Sequence, residues 1–316
     1  MKIIKPSFEV LSRDEQRGNI GVIELAARTC YKTEDAVKDG SDEQIVSMLI
    51  ARQHTAMLEH GDYIFLVDDY KILDNVAYCL YRHEKDTGHR IRLFFTDKAS
   101  RPIISGNIRA WRELMASYSM AAWYFSGAID PIFIGDIVPE EERVVDGRIH
   151  QLHYADLKGG LEQRVHLRQT VRFTVDRGVT HEFVRHREMS FAQESTRYCN
   201  YTQNKFGNEI TVIEPCFLTE GTEEYSLWKR QCMSAEAAYA TMLHLGMKPQ
   251  EARTVLPHST KADLIVTGTL GQWRSFFDLR ALEVTGPAHP QAAEVAKALL
   301  PVMASRFPAA FAAYND

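Results

Sequence analysis

The chain holds 316 residues, 45% hydrophobic and 25% charged, at a net charge of −5; this is ordinary globular composition, enough for one large domain or two small ones. The acidic balance argues against a general nucleic-acid surface, and no window approaches the ~18 uninterrupted apolar residues of a membrane-spanning helix. Five irregularly spaced cysteines (Cys30, Cys79, Cys199, Cys216 and Cys232) without a CxxC argue against a disulfide framework or structural zinc, and residues 1–6 lack a signal peptide's apolar stretch, so a reducing cytoplasm is expected.

Residues 19–31 read as a helix, with Ile20, Ile23, Leu25 and Ala26 as its buried stripe. Ser41 suits an N-cap, and Asp42 and Glu43 suit the first turn of a second helix running to about Gln53. Residues 63–67 read as a short strand, and 71–81 and 108–124 as helices. Residues 126–160 mix Gly, Pro and acids such as Glu140 to Glu142, which predicts an elaborated loop region. A strand over 169–175 and a short helix over 179–187 follow. Residues 222–245 form a long helix rich in Ala and Met, with Gly246 as its stop. A short helix over 249–255 is stopped by Pro257. A strand over 262–267, a helix over 271–282 and a last helix over 290–306, with Pro290 in its first turn, complete the chain. The expectation is α+β, with more helix than strand.

The densest chemistry lies at Arg185-His186-Arg187, followed by seven residues and then Ser195-Thr196-Arg197. Planar guanidinium groups make paired hydrogen bonds that suit phosphate. The plain reading is a solvated face with near-neutral surface ion pairs. Against it, the cluster follows a strand-like run, Val171 to Val175, and precedes a stretch dense in hydrogen-bonding groups. A phosphorylated substrate or cofactor is the reading these residues favour.

Other patterns fall away. His181-Glu182-Phe183-Val184-Arg185-His186 is not H-E-x-x-H. The second histidine comes five residues on, which at ~100° per residue puts the rings ~140° apart on a helix, so no zinc site is expected. Gly268-Thr269-Leu270-Gly271 is neither GxGxxG nor a P-loop. No GxSxG surrounds Ser195. Cys199, two residues past Arg197, is better read as a buried thiol than as a nucleophile.

The segment RHR-x7-S-x-R resembles the signature of the flavin-dependent thymidylate synthases. Further patches agree in order: Ala26 to Tyr31, His54 to His60 (H-x-x-x-x-E-H), Glu251 to Pro257 (A-R-x-x-L-P) and Phe276 to Arg280, with His289 near a family histidine. The likeness covers about residues 20–66 and 168–300. Residues 67–167 are expected to be largely an insertion within a single domain of the family's fold, helices on a mainly antiparallel sheet.

The resemblance implies reductive methylation of dUMP to dTMP. Methylenetetrahydrofolate would supply the carbon, NADPH the reducing equivalents, and FAD the hydride. It implies that Arg185, His186 and Arg187 contact FAD, with Arg185 also approaching the nucleotide of a neighbouring subunit. His54 and Ala56 would lie along the flavin. Residues 193–197 (Gln193, Glu194, Ser195, Thr196, Arg197) would form the dUMP loop, with Gln193 also touching cofactor. Arg197 and Arg253 would clamp the phosphate, and Ser195 would hydrogen-bond the nucleotide. Glu182 would also hold dUMP. Arg280 would lie against the uracil carbonyl and stabilise charge as N3 ionises. Assembly would be a homotetramer with shared sites, without nucleic acid or membrane partners and without a metal.

The chain departs from the family pattern at Ala192, Thr269 and Ser275, where Asn or His is common. Thr and Ser reach less far and carry one donor each. Two other readings therefore stay open: a related flavoprotein acting on a different pyrimidine nucleotide, and a non-catalytic nucleotide- or nucleic-acid-binding protein.

Overall fold

The computed structural model describes residues 1–12, 18–96, 101–197, 199–201 and 207–312. Two antiparallel four-stranded sheets organise it. The elements run β1 (Lys2–Ile4), β2 (Ser7–Val10), α1 (Gly18–Tyr31), α2 (Ser41–Ala51), β3 (Asp62–Val67), α3 (Tyr70–Thr87), β4 (Leu93–Phe95), β5 (Ile103–Asn107), α4 (Ile108–Ser117) and α5 (Ser119–Phe125). Then come α6 (Pro131–Ile134), β6 (Ile149–Gln151), α7 (Gly160–His166), β7 (Arg168–Asp176), α8 (Arg177–Phe183), β8 (Ser190–Gln193) and β9 (Thr211–Ile213). The chain closes with α9 (Glu223–His244), α10 (Pro249–Ala252), β10 (Lys261–Thr269), α11 (Leu270–Arg280) and α12 (Pro290–Arg306).

One sheet has the order β2-β7-β10-β8 and the other β4-β5-β3-β6, while β1 and β9 form a parallel pair. Strand β10 is central: it pairs β7 from Lys261↔Asp176 to Thr269↔Arg168 and β8 from Leu264↔Gln193 to Thr267↔Ser190. It is buried along nearly its whole length, as a strand covered on both faces must be. Phe173, Phe183, Trp273, Phe276 and Phe277 pack beneath this sheet with α12. A second core joins Ile23 and Ala27 of α1 and Val46 of α2 to Phe65, Trp111, Phe125 and Phe133. The α+β expectation with a mainly antiparallel sheet is borne out.

Several boundaries differ from the sequence expectation, each for a local reason. The first residue of α2 is Ser41 itself, and its cap is Gly40, whose φ of 74° suits glycine. The expected helix over 108–124 breaks at Tyr118, which takes an extended conformation between α4 and α5. Residues 126–160 are not merely loop: they hold α6, β6 and the start of α7, and Phe133 and Ile134 are fully buried. Short strands β1, β2, β4, β5, β8 and β9 lacked the length to stand out in the sequence. The helix expected over 179–187 stops at Phe183, which changes how the arginine cluster is presented.

Candidate functional site

The cluster sits on a tight turn between α8 and β8. His186 N–H donates to Phe183 O (3.1 Å), Arg187 N–H to Arg185 O (2.9 Å), and Met189 N–H to His186 O (3.0 Å). The turn exposes the side chains of Arg185 and Arg187 and folds that of His186 inward. There the imidazole packs against the ring of Phe276, centroids 5.0 Å apart. His181 lies elsewhere, against His258.

Arg280, the last residue of α11, ties this turn together. Its Nε donates to His186 Nε2 at 3.2 Å, its Nη1 to Glu182 Oε2 at 2.7 Å, and its Nη2 to the Glu182 carbonyl at 3.0 Å. A ring nitrogen that accepts from a guanidinium cannot carry a proton, so the neutral His186 carries its proton on Nδ1. Burial, and then the Arg280 charge, pull the His186 pKa down to about 4. A guanidinium has five N–H groups, and among the described residues three are engaged here, which leaves one on each Nη for another acceptor.

A cleft of about 640 Å³ opens beside this triad, lined by Arg185, His186, Arg187, Thr269 and Ser275 together with Arg92, Phe94, Arg164 and Gln272. Five residues expected beside a flavin are thus brought together from three elements. Thr269 ends β10 and caps α11: its Oγ1 accepts from the Gln272 N–H, and Gln272 Oε1 accepts from the Thr269 N–H. This reciprocal cap sets the helix N-terminus at the cleft wall. Ser275, one turn further on, donates its hydroxyl to Gly271 O at 3.3 Å. Gly271 has a packing reason: a Cβ there would stand 3.0 Å from the Arg164 carbonyl oxygen.

The other expected residues lie outside that lining. His54 and Ala56 are exposed, and His54 Nδ1 meets the Tyr31 hydroxyl at 3.2 Å. Gln193 donates to Thr180 Oγ1 at 3.0 Å. The loop after β8 is pinned from below. Glu194 is buried and receives Lys261 Nζ at 2.7 Å and Lys32 Nζ at 3.3 Å. Both lysines also reach Asp263, at 2.5 and 2.7 Å. Burial alone would raise the Asp263 pKa, but Lys261 and Lys32 outweigh it and hold it well below the usual carboxylate range. Ser195 N–H donates to Cys30 O at 3.1 Å, and Arg253 Nη1 donates to Thr196 Oγ1 at 3.1 Å. Arg253 and Arg197 are exposed, side by side with this loop. Cys199 is fully buried; burial and the nearby Glu194 push its thiol up to about 12, so it is no nucleophile at neutral pH. Ala192, at the first family departure, packs in a small apolar cluster with Ala26 and Ile265.

Sequence reasoning missed Arg92, Phe94, Arg164 and Gln272. The signal for the first two was present in Arg90-Ile91-Arg92-Leu93-Phe94-Phe95, where Arg90, Ile91, Arg92 and Leu93 alternate polar with apolar. Ile91, Leu93 and Phe95 face the core, and Arg92 and Phe94 face the cleft.

Residues 161–309 match the family model described as thymidylate synthase complementing protein. A flavin-dependent thymidylate synthase of Pyrococcus furiosus is 29% identical over 168 residues, spanning 52% of this chain and 66% of that protein. Those of Pyrococcus abyssi and Mycobacterium sp. strain KMS are 33% and 31% identical over 104 and 128 residues, spanning 33% and 34% of this chain. The chain therefore spans less than two thirds of these relatives' own length, 42% and 48% for the latter two. Among solved structures, a UMP/dUMP methylase PolB from Streptomyces cacaoi bound with 5-Br dUMP aligns over 99% of this chain and 97% of its own, at 16% identity and a TM-score of 0.41.

Proposed function

We infer, from the match of residues 161–309 to the family model described as thymidylate synthase complementing protein, that this chain methylates dUMP to dTMP. Methylenetetrahydrofolate serves as carbon donor, NADPH as reductant, and a bound FAD as the hydride carrier. The observation that carries this reading is the meeting of Arg185, His186, Arg187, Thr269 and Ser275 in one cleft. Its guanidinium-rich wall fits a cofactor with phosphates.

The flavin, when bound, supplies hydride transfer. The chain's own groups bind and orient. Arg197 and Arg253, exposed beside the loop held by Glu194, grip the phosphate of dUMP, and Ser195 hydrogen-bonds the nucleotide. The two free N–H groups of Arg280 face the uracil carbonyl and stabilise the negative charge of an ionised ring. Glu182, already paired with Arg280 at 2.7 Å, orients that guanidinium. The neutral His186, accepting from Arg280 Nε at 3.2 Å, fixes that guanidinium from a second side without adding a charge.

Ser195, Thr196, Arg197 and Arg253 lie outside the lining of this cleft, and the assembly is read, from the family likeness alone, as a homotetramer with sites shared between subunits. The central segment, 67–167, is read as an insertion into a single domain; its core residues are shared with α1 and α2. The deciding experiment is dTMP formation from dUMP, methylenetetrahydrofolate and NADPH, with and without added FAD. Flavin-dependent dTMP is the expected result. Activity on another pyrimidine nucleotide, with none on dUMP, overturns the substrate.

A further inference from the structure

We propose that the central segment is part of the cofactor site, with Arg92 and Arg164 holding the pyrophosphate of a bound dinucleotide. The inference rests on the flavin reading above and deepens it. Arg92 and Phe94 lie outside the span matched by the family model, and nothing in the RHR motif calls for them.

The strand period explains their placement. Side chains two apart share a face. Ile91, Leu93 and Phe95 pack into the core. That turns Arg92 and Phe94 outward, into the cleft that Arg185 and Arg187 also line. Arg92 is held there: its Nη1 donates to the Arg187 carbonyl at 3.2 Å. Arg164, on α7, comes in beside the N-terminus of α11, because Gly271 lets the two backbones approach. Four guanidinium groups line the cleft against one carboxylate, Glu188, which is 66% exposed. Among the described residues, Arg164 and Arg187 have no ion-pair partner. Guanidinium groups gathered on one cavity, with Arg92 offset only by the exposed Glu188 at 3.9 Å and with Phe94 as an apolar part of the same lining, match a ligand carrying both phosphate and aromatic rings. A two-phosphate bridge suits two planar forks better than a single carboxylate would.

The test compares FAD with riboflavin, which shares the flavin ring and lacks the pyrophosphate. Both are titrated by flavin fluorescence into the full-length protein, the Arg92→Gln/Arg164→Gln double variant, Arg164→Gln alone, and Arg82→Gln as a control on a remote exposed arginine. The double variant is expected to lose at least about tenfold in FAD affinity, the loss of one or more charge-assisted hydrogen bonds, with riboflavin binding unchanged. Should the double variant fail to fold, Arg164→Gln carries the test, because among the described residues the Arg164 side chain holds no ion pair. Equal FAD affinity in wild type and folded variant, or equal losses for FAD and riboflavin, overturns the proposal. Turnover to dTMP with saturating FAD is measured on the same samples. A wild type that makes dTMP while the FAD preference stays put leaves the function standing and removes the site. A moved preference in a protein that makes no dTMP does the reverse, and a wild type that binds no flavin removes both.

Discussion

At the scale of single residues, the signature motif divides by exposure. Arg185 and Arg187 face outward, while His186 is folded under Arg280. The two kinds of residue have different uses. Exposed guanidinium groups are available to an anion; a neutral imidazole bonded to a guanidinium fixes orientation. Arg197 is exposed as Arg185 and Arg187 are. Arg197→Ala should weaken dUMP binding about 10- to 100-fold, the range for charge-assisted bonds to a phosphate, while thermal stability stays within about 0.5 kcal/mol, as for other surface substitutions. Calorimetric titration with dUMP checks this, and unchanged affinity would remove Arg197 from the phosphate clamp.

At the scale of elements, the long periodic helices were legible. Residues 290–306 and 222–245 were expected within a residue or so of α12 and α9, because their patterns run for several turns and end at Pro or Gly. Fixed spacing made the arginine cluster legible as well. What the sequence could not reveal was where α8 stops: no Gly or Pro marks Phe183, and its last turn is met by distant partners, Phe183 packing on Phe173 and Phe276 and Arg280 Nη2 donating to the Glu182 carbonyl. The cleft's far wall stayed hidden for another reason. Strand β4 is three residues long, too short to stand out inside a segment already set aside as an insertion. The junction of α7 with α11 is the element-scale point most open to test. Gly271→Ala puts a methyl against the Arg164 backbone and should cost about 1–3 kcal/mol by overpacking. Urea unfolding reads the cost, and a neutral outcome would mean that α7 yields easily.

At the scale of the whole molecule, buried imidazoles set the acid limit. His60 is fully buried, with Nδ1 on Thr267 and, among the described residues, no hydrogen-bond partner for Nε2; burial, then Arg168, pull its pKa down to about 3. His166 bonds Ser105 through Nδ1, and burial pulls it down to about 4, as with His186. All three lie below the ordinary histidine value of about 6.5. Below that pH the unfolded chain binds protons that the folded chain refuses, so the unfolded state gains as pH falls. Their contribution is complete above pH ~6.5 and fades towards pH ~4 for His166 and His186 and pH ~3 for His60, with a slope of up to about 1.4 kcal/mol per pH unit for each group. Urea midpoints between pH 7.5 and 5 should fall accordingly. A folded His166→Asn variant should show a shallower slope, and an unchanged slope would contradict the assignment.

The Lys32–Asp263–Lys261–Glu194 network has a consequence for behaviour in brine. Salt shortens the reach of exposed charges, to about 3 Å at 1 M, but acts weakly on charges excluded from water. The carboxylates of Glu194 and Asp263 are 2% and 3% exposed, whereas Arg197 and Arg253 stand in solvent. Rising chloride should therefore raise the KM for dUMP well before it lowers kcat or loosens the loop. On the proposed reading, the grip on the nucleotide and the frame beneath it answer to the same ions on different scales, and steady-state kinetics across a sodium chloride series would separate the two.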